Sequence, residues 1–219
     1  MNARQAILDK LQQSSLKRIG DGDVIPDRPG FQVMQRERKS NAQLSQQFEN
    51  MMAKVKGEVI RVPQEELESR LNAIIEAKAI KTLLLSPESP YKASFSGLLD
   101  EVRIYDKAIE SWKEALFNDI DAAITSTLGG IAETGTLVLW PSVSEPRLMS
   151  LVPPIHIAIL YESQMQPTFW HFMHHHNWSE GMPTNALLIS GPSKTADIEQ
   201  TLAYGVHGPK ELVIVLVEE

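Results

Sequence analysis

The 219-residue sequence contains no cysteine. Disulfides are therefore excluded, and so are thiolate-held zinc and thiolate-ligated iron–sulfur clusters. No apolar run approaches the roughly 18 residues that a membrane span needs. The opening residues, Met1-Asn2-Ala3-Arg4-Gln5, lead into a mixed polar and apolar segment rather than the apolar core of a secretory signal. Positive charge is also short: 21 Lys and Arg face 28 Asp and Glu, a formal net charge of −7, with no dense cationic stripe. Such a chain is poorly suited to nucleic acid. The expectation is a cytoplasmic protein with no membrane span. What is present is a 42% hydrophobic content, enough for a packed core.

Residues 2–18 place Ala3, Ile7, Leu8 and Leu11 on one helical face, and residues 19–38 are polar and rich in Gly and Pro. Positions 1–38 are read as a helix and linker arm, and 39–219 as the main domain. Ser40 or Asn41 can cap a helix carrying Leu44, Phe48, Met51, Met52 and Val55 at helical spacing. Strands are then predicted at 58–62, 80–85, 101–104 and 120–124, separated by helices at 64–78, at 87–99 and through Trp112 and Phe117. This alternation predicts an α/β fold, a mostly parallel sheet flanked by helices. Residues 128–135 read as a turn, 136–140, 156–161 and 212–217 as strands, and 147–151 as one helical turn. Residues 164–176 read as a helix whose Pro167 suits only its first turn.

The most informative stretch runs from Ala186 to Glu199. Ala186 to Ile189 reads as a strand buried on both faces, Ser190 to Ser193 as a turn, and Thr195 with Asp197 as a helix start. That arrangement sets backbone N–H groups at a sheet edge and makes Gly191, Ser193, Lys194 and Thr195 an anion site, with Asp197 orienting Lys194 or Thr195. Simple helix capping and complementation of the helix N-terminus explain the same residues. The spacing matches neither a P-loop nor a dinucleotide fingerprint. Glu133, in a small-residue turn with Gly135, is placed to act as a general base or acyl-accepting nucleophile, or else to tie the turn down. His207, beside Gly208, is an acid/base candidate or a turn residue. Arg147 is a clamp for a substrate carboxylate or a surface ion pair. Gly135 and Gly208 are counted with the ligand-binding residues of these loops. His171, His174 and His175 have helical spacing but no acidic companion, so no metal site is expected. Trp170, Phe172 and Trp178 are read as packing on something, such as another subunit.

Three segments together resemble the lactate utilization protein C family, the LUD domain. They are Ile131-Ala132-Glu133-Thr134-Gly135-Thr136-Leu137-Val138, then Arg147 through Pro153-Pro154 to His156-Ile157, and finally Ser190 to Glu199 with Gly205-Val206-His207-Gly208-Pro209. The resemblance covers about residues 40–219. It implies a CoA transferase-like α/β fold, of the group that also holds sugar-phosphate isomerases and formyltetrahydrofolate cyclo-ligase. It further implies a role in bacterial oxidation of L-lactate to pyruvate alongside iron–sulfur partner proteins. With no cysteine here, the clusters are expected in those partners and no cofactor in this chain. Glu133-Thr134-Gly135 is also similar to the Glu-x-Gly segment of CoA transferases, whose carboxylate reacts covalently. The alternative is thus a stand-alone acyl- or phosphoryl-transfer enzyme using Glu133. Both readings expect Glu133, Lys194 and His207 to meet around one hollow, with a small anion as ligand.

Overall fold

Ser40 opens the main body by capping α1 (Asn41–Ala53): its hydroxyl accepts from the Gln43 N–H while the Gln43 side chain accepts from the Ser40 N–H. The computed structural model describes residues 39–219 apart from Ser96, Pro183, 197–201 and Val206. The arm read at 1–38 and the candidate Asp197 lie outside the described residues. Lys39–Glu219 forms one unit.

Along that unit run β1 (Glu58–Pro63), α2 (Leu67–Ala77), β2 (Thr82–Leu85), β3 (Glu101–Ile104), α3 (Lys113–Asn118) and β4 (Ala122–Ser126). Then come β5 (Gly129–Ile131), β6 (Thr136–Leu139), α4 (Leu148–Leu151), β7 (Ile155–Tyr161) and β8 (Met165–Gln166). The chain continues with α5 (Phe169–His175), β9 (Leu187–Ile189), β10 (Lys194–Ala196), β11 (Leu202–Tyr204) and β12 (Glu211–Glu218). Six strands form a parallel sheet in the order β1-β12-β7-β4-β2-β3. The predicted α/β class is observed. The chain steps outward from β2 to β3 and returns on the other side of β2 as β4, so the strand order reverses between β2 and β4. Open α/β sheets bind ligands beyond the carboxyl ends of the strands at such a point.

The long strands are apolar on both faces because both faces are covered. On one face Leu71, Ile74 and Ile75 of α2 meet Ile157, Val213, Val215 and Val217. On the other, Phe48 and Met52 of α1 and Leu137 and Leu139 of β6 meet Ala158, Leu160, Ile214 and Leu216. Each such aliphatic side chain, when fully buried, contributes about 1.5–3 kcal/mol. Arg61 of β1 ties this end together, bridging Glu49 of α1 and Glu218 of β12. Among the described residues no helix is long and apolar enough to cross a membrane.

Three local expectations are corrected. First, residues 128–135 are not only a turn: β5 forms there, between β6 and β8, in a second sheet ordered β8-β5-β6-β9. Gly129 and Gly130 carry no strand propensity, so pairing rather than local preference decides. Second, β9 is not buried on both faces, since it is the edge of that second sheet and Leu188 is 51% exposed. Third, no helix begins at Thr195, because Lys194–Ala196 is β10 and pairs antiparallel with β11. The β-branched Thr195 suits an extended chain, and the hairpin takes up the backbone groups that a helix start would have left free. Phe172 and Trp178, read as packing on something, pack against Ile131 and Val138 of their own chain. Pro167 precedes α5, whose cap is Thr168.

Candidate functional site

The β10–β11 hairpin is what joins the two loop motifs. The Ser193 N–H donates to the Pro209 carbonyl at 2.9 Å, and the Gly205 N–H donates to the Ser193 carbonyl at 2.9 Å. Gly208 then lies so close that a β-carbon there would stand 3.0 Å from Ser193 Cβ, which a side chain tolerates poorly. The result is a hollow of about 200 Å³ whose walls include Gly191, Ser193, His207 and Gly208. It opens beside Leu212 and His156, near the starts of β12 and β7, which is the amino edge of the six-stranded sheet. Leu151, Leu188, Ile189 and Leu212 give it an apolar wall, and Ser150, Ser190 and Ser193 supply hydroxyl-bearing residues.

His156 is the residue that distinguishes this hollow. Only 1% exposed, it sits on β7 and reaches across to β4, where its Nε2 lies 2.8 Å from Thr125 Oγ1. Its Nδ1 is buried with no hydrogen-bond partner among the described residues. Burial disfavours the charged ring and pushes its pKa down to about 4, so the imidazole is neutral at physiological pH. A neutral imidazole carries one donor and one acceptor nitrogen, and the Thr125 hydroxyl can serve either. The orphaned Nδ1 therefore can donate to an anion's oxygen or accept from a ligand hydroxyl. Leaving a buried polar atom unpaired costs about 1–3 kcal/mol, which a ligand hydrogen bond would recover.

The sequence candidates divide as follows. Gly191, Ser193, His207 and Gly208 line the hollow, with His207 exposed at its mouth. Glu133, Gly135, Arg147, Lys194 and Thr195 are not among its walls. Glu133 is half-buried and its N–H donates to the Pro167 carbonyl at 3.1 Å, which ties the turn between β5 and β6 to the chain after β8. Lys194 and Arg147 are exposed, and Thr195 is half-buried in β10. Glu133, Lys194 and His207 thus do not share this hollow, contrary to expectation. A strand, not a helix, follows Ser193, so no helix N-terminus supplies the donors.

A different bridge connects the motifs. Thr134 Oγ1 lies 2.7 Å from Thr136 Oγ1, which lies 2.7 Å from Ser190 Oγ. The pairing of β6 with β9 sets Thr136 beside Ser190, so this chain of hydroxyls runs from the turn of Glu133 to the wall of the hollow. Gly135 makes the turn possible: its φ is +59°, and a β-carbon there would meet Met51 Cβ of α1 at 2.7 Å. Among the described residues no group of three or more His, Cys, Asp or Glu is placed to hold a metal ion. In the histidine segment, His171 Nδ1 bonds the capping Thr168 hydroxyl at 2.8 Å, while His174 and His175 are exposed.

Sequence reasoning had named His156 only as a strand residue. A single histidine inside the apolar run Ile155-His156-Ile157-Ala158-Ile159 was nevertheless a signal, because a polar side chain there must be buried and must find a partner.

Comparison with known proteins gives concordant results. Residues 45–217 match the LUD domain. An uncharacterized protein of Neisseria meningitidis serogroup B is 36% identical over 99% of this chain and 94% of its own length. Lactate utilization protein C of Halalkalibacterium halodurans is 26% identical over 88% of this chain and 86% of its own. Its namesake in Bacillus subtilis is 36% identical over 52% of this chain and 48% of its own. The crystal structure of a DUF162 family protein from Deinococcus radiodurans superposes with a TM-score of 0.61 at 23% identity, covering 82% of this chain and 99% of that one, a likeness of fold. With most of the described body matched and a relative aligned nearly end to end, the chain belongs to the LUD domain family, among relatives that include the lactate utilization proteins C.

Proposed function

We propose that this chain is a subunit of a bacterial lactate-utilization system, working with iron–sulfur partner proteins, and that its amino-edge hollow binds a small carboxylate such as L-lactate or pyruvate. Relatives named lactate utilization protein C support the system. The observation that carries the ligand is the buried Nδ1 of His156, without a hydrogen-bond partner among the described residues, on a histidine in the wall of a hollow of about 200 Å³. That volume admits a small organic acid. An α-hydroxy acid brings a carboxylate for His156 and Ser193, a hydroxyl, and a methyl for the wall of Leu151 and Leu212. His207 at the mouth adds positive charge when protonated. Because the chain has no cysteine, electron transfer through thiolate-held clusters is assigned to the partners.

Thermal unfolding with added L-lactate, pyruvate or acetate tests the ligand. A ligand at a hundredfold over its Kd stabilises the native state by about 2.7 kcal/mol. L-lactate or pyruvate should raise Tm in wild type and lose that effect in Ser193→Val. Absence of any shift with both acids removes the ligand assignment. Affinity purification from a lactate-grown bacterium that recovers no iron–sulfur protein removes the subunit assignment separately.

A further inference from the structure

We propose that a second site, at the carboxyl edge of the six-stranded sheet, binds the polyhydroxylated ring of a neutral sugar. A cleft of about 350 Å³ opens there, bordered by the ends of β2, β4 and β7. This is the crevice where the strand order reverses between β2 and β4, the place where open α/β sheets take ligands.

The cleft is built, not merely left over. The Glu145 carboxylate accepts from the Ser126 N–H at 3.1 Å and from the Ser126 hydroxyl at 2.7 Å, while the Glu145 N–H donates to Ser142 Oγ at 2.9 Å. Ser142 Oγ lies 3.0 Å from Ser144 Oγ, and Ser144 donates to Glu88 at 3.0 Å. This network spans three loops and fixes two carboxylates on the cleft wall. Tyr91 and Tyr161 stand beside them; burial first, and then the hydrogen bond and proximity of Tyr161, push the Tyr91 phenol up to about 12, so it stays neutral. Trp140, 42% exposed, closes the rim, its ring held edge-on against Trp178 with centroids 5.9 Å apart.

The chemistry selects the ligand. Among the described residues no Lys, Arg or His lines this cleft. Two carboxylates without a cation repel phosphates and carboxylic acids. The hydroxyl-bearing walls both donate and accept, which suits groups that do the same. A sugar offers hydroxyls to Glu88 and Glu145 and to the serines, and a C–H face to an aromatic ring. A quaternary organic cation would meet the carboxylates' charge but bring few hydrogen-bond donors to their remaining lone pairs and to the serine oxygens, which a sugar's hydroxyls supply.

Tryptophan fluorescence and titration calorimetry on the full chain, with a panel of free pentoses and hexoses, choline and inorganic phosphate, test this. At least one monosaccharide should bind saturably, and Glu88→Ala should weaken it at least tenfold with Tm unchanged. Trp140→Phe should abolish the fluorescence response while calorimetry still detects binding, and Ser193→Val should leave sugar binding intact. Saturable binding of choline or phosphate in place of any sugar, no binding by any probe, or sugar binding indifferent to Glu88→Ala overturns the proposal.

Discussion

The acid hollow and the sugar cleft lie at opposite edges of one parallel sheet and are made on different principles. The amino-edge hollow is small, walled on one side by leucine and isoleucine, and organised around one buried neutral imidazole. The carboxyl-edge cleft is larger, rich in hydroxyls, carries two carboxylates, and has no basic residue in its walls. The first is assembled by pairing between distant strands, which brings the residues around Ser190, Ser193 and Pro209 together. The second is a consequence of strand order alone, since any sheet that reverses between β2 and β4 opens a crevice there. Thr125 belongs to both: it borders the carboxyl-edge cleft and bonds His156 of the amino-edge hollow. The contrast teaches that one sheet can offer an apolar, base-containing pocket and a polar, acid-containing one with a single hydroxyl between them.

Changes in the β5–β6 turn, which the hydroxyls of Thr134, Thr136 and Ser190 link to the amino-edge hollow, should cost the most. Gly135→Ala forces a left-handed backbone on a residue with a β-carbon and drives that carbon into Met51, so a loss of roughly 2–5 kcal/mol is expected by denaturant unfolding. Gly135 is not part of the carboxyl-edge cleft, so any sugar binding should persist below the lowered Tm. Next in size is a pH effect. His156 has a folded pKa of about 4 against 6.5 unfolded, so below pH 6.5 the unfolded chain binds the extra proton. The stability that this residue holds is complete above pH 6.5 and falls by about 3 kcal/mol as pH drops toward 4. His156→Gln should flatten that part of the stability–pH curve relative to wild type, measured by chemical denaturation at each pH.

Thr125→Val sharpens the comparison at the residue both sites share. It leaves His156 Nε2 buried without a partner and should cost about 1–3 kcal/mol. It should also weaken acid binding more than sugar binding, because Thr125 reaches the acid through the imidazole. The smallest effect is expected at the carboxyl edge, where Glu145→Ala removes the acceptor of the Ser126 N–H and hydroxyl at an exposed position, for about 1 kcal/mol. An equal loss from Glu145→Ala and Thr125→Val would break the contrast between a buried and a solvated network.

Much of the frame was legible in the sequence because burial left a local mark. The strands at 136–140 and 212–217 are largely apolar runs, that at 58–62 is rich in β-branched residues, and all three are present as β6, β12 and β1. β5 and β8 were not legible, for Gly129-Gly130 and Met165-Gln166 become strands only by lying beside β6 and one another. The segment after Pro192 misled for a related reason. Ser193, Thr195 and Asp197 have the composition of a helix cap, yet Lys194–Ala196 is a strand paired with Leu202–Tyr204, a partner that the composition of 193–197 does not reveal. Gly191, Ser193, His207 and Gly208 line one hollow while Glu133 and Lys194 do not, because turn chemistry predicts exposure without predicting which way a loop folds. The carboxyl-edge cleft had no local signature at all. Ser86, Glu88, Ser126, Glu145 and Tyr161 are scattered through the chain, and only strand pairing makes them neighbours.

The position of β12 carries one more consequence. It is inserted between β1 and β7, so β1 has no neighbour in its sheet until residues 211–218 arrive, about 150 positions later in the chain. A growing polypeptide stopped short of that point exposes an unpaired apolar edge on both flanking strands, the kind of surface that templates aggregation. The step that seals the centre of the sheet thus waits on residues 211–218, and chaperone demand should peak just before they emerge.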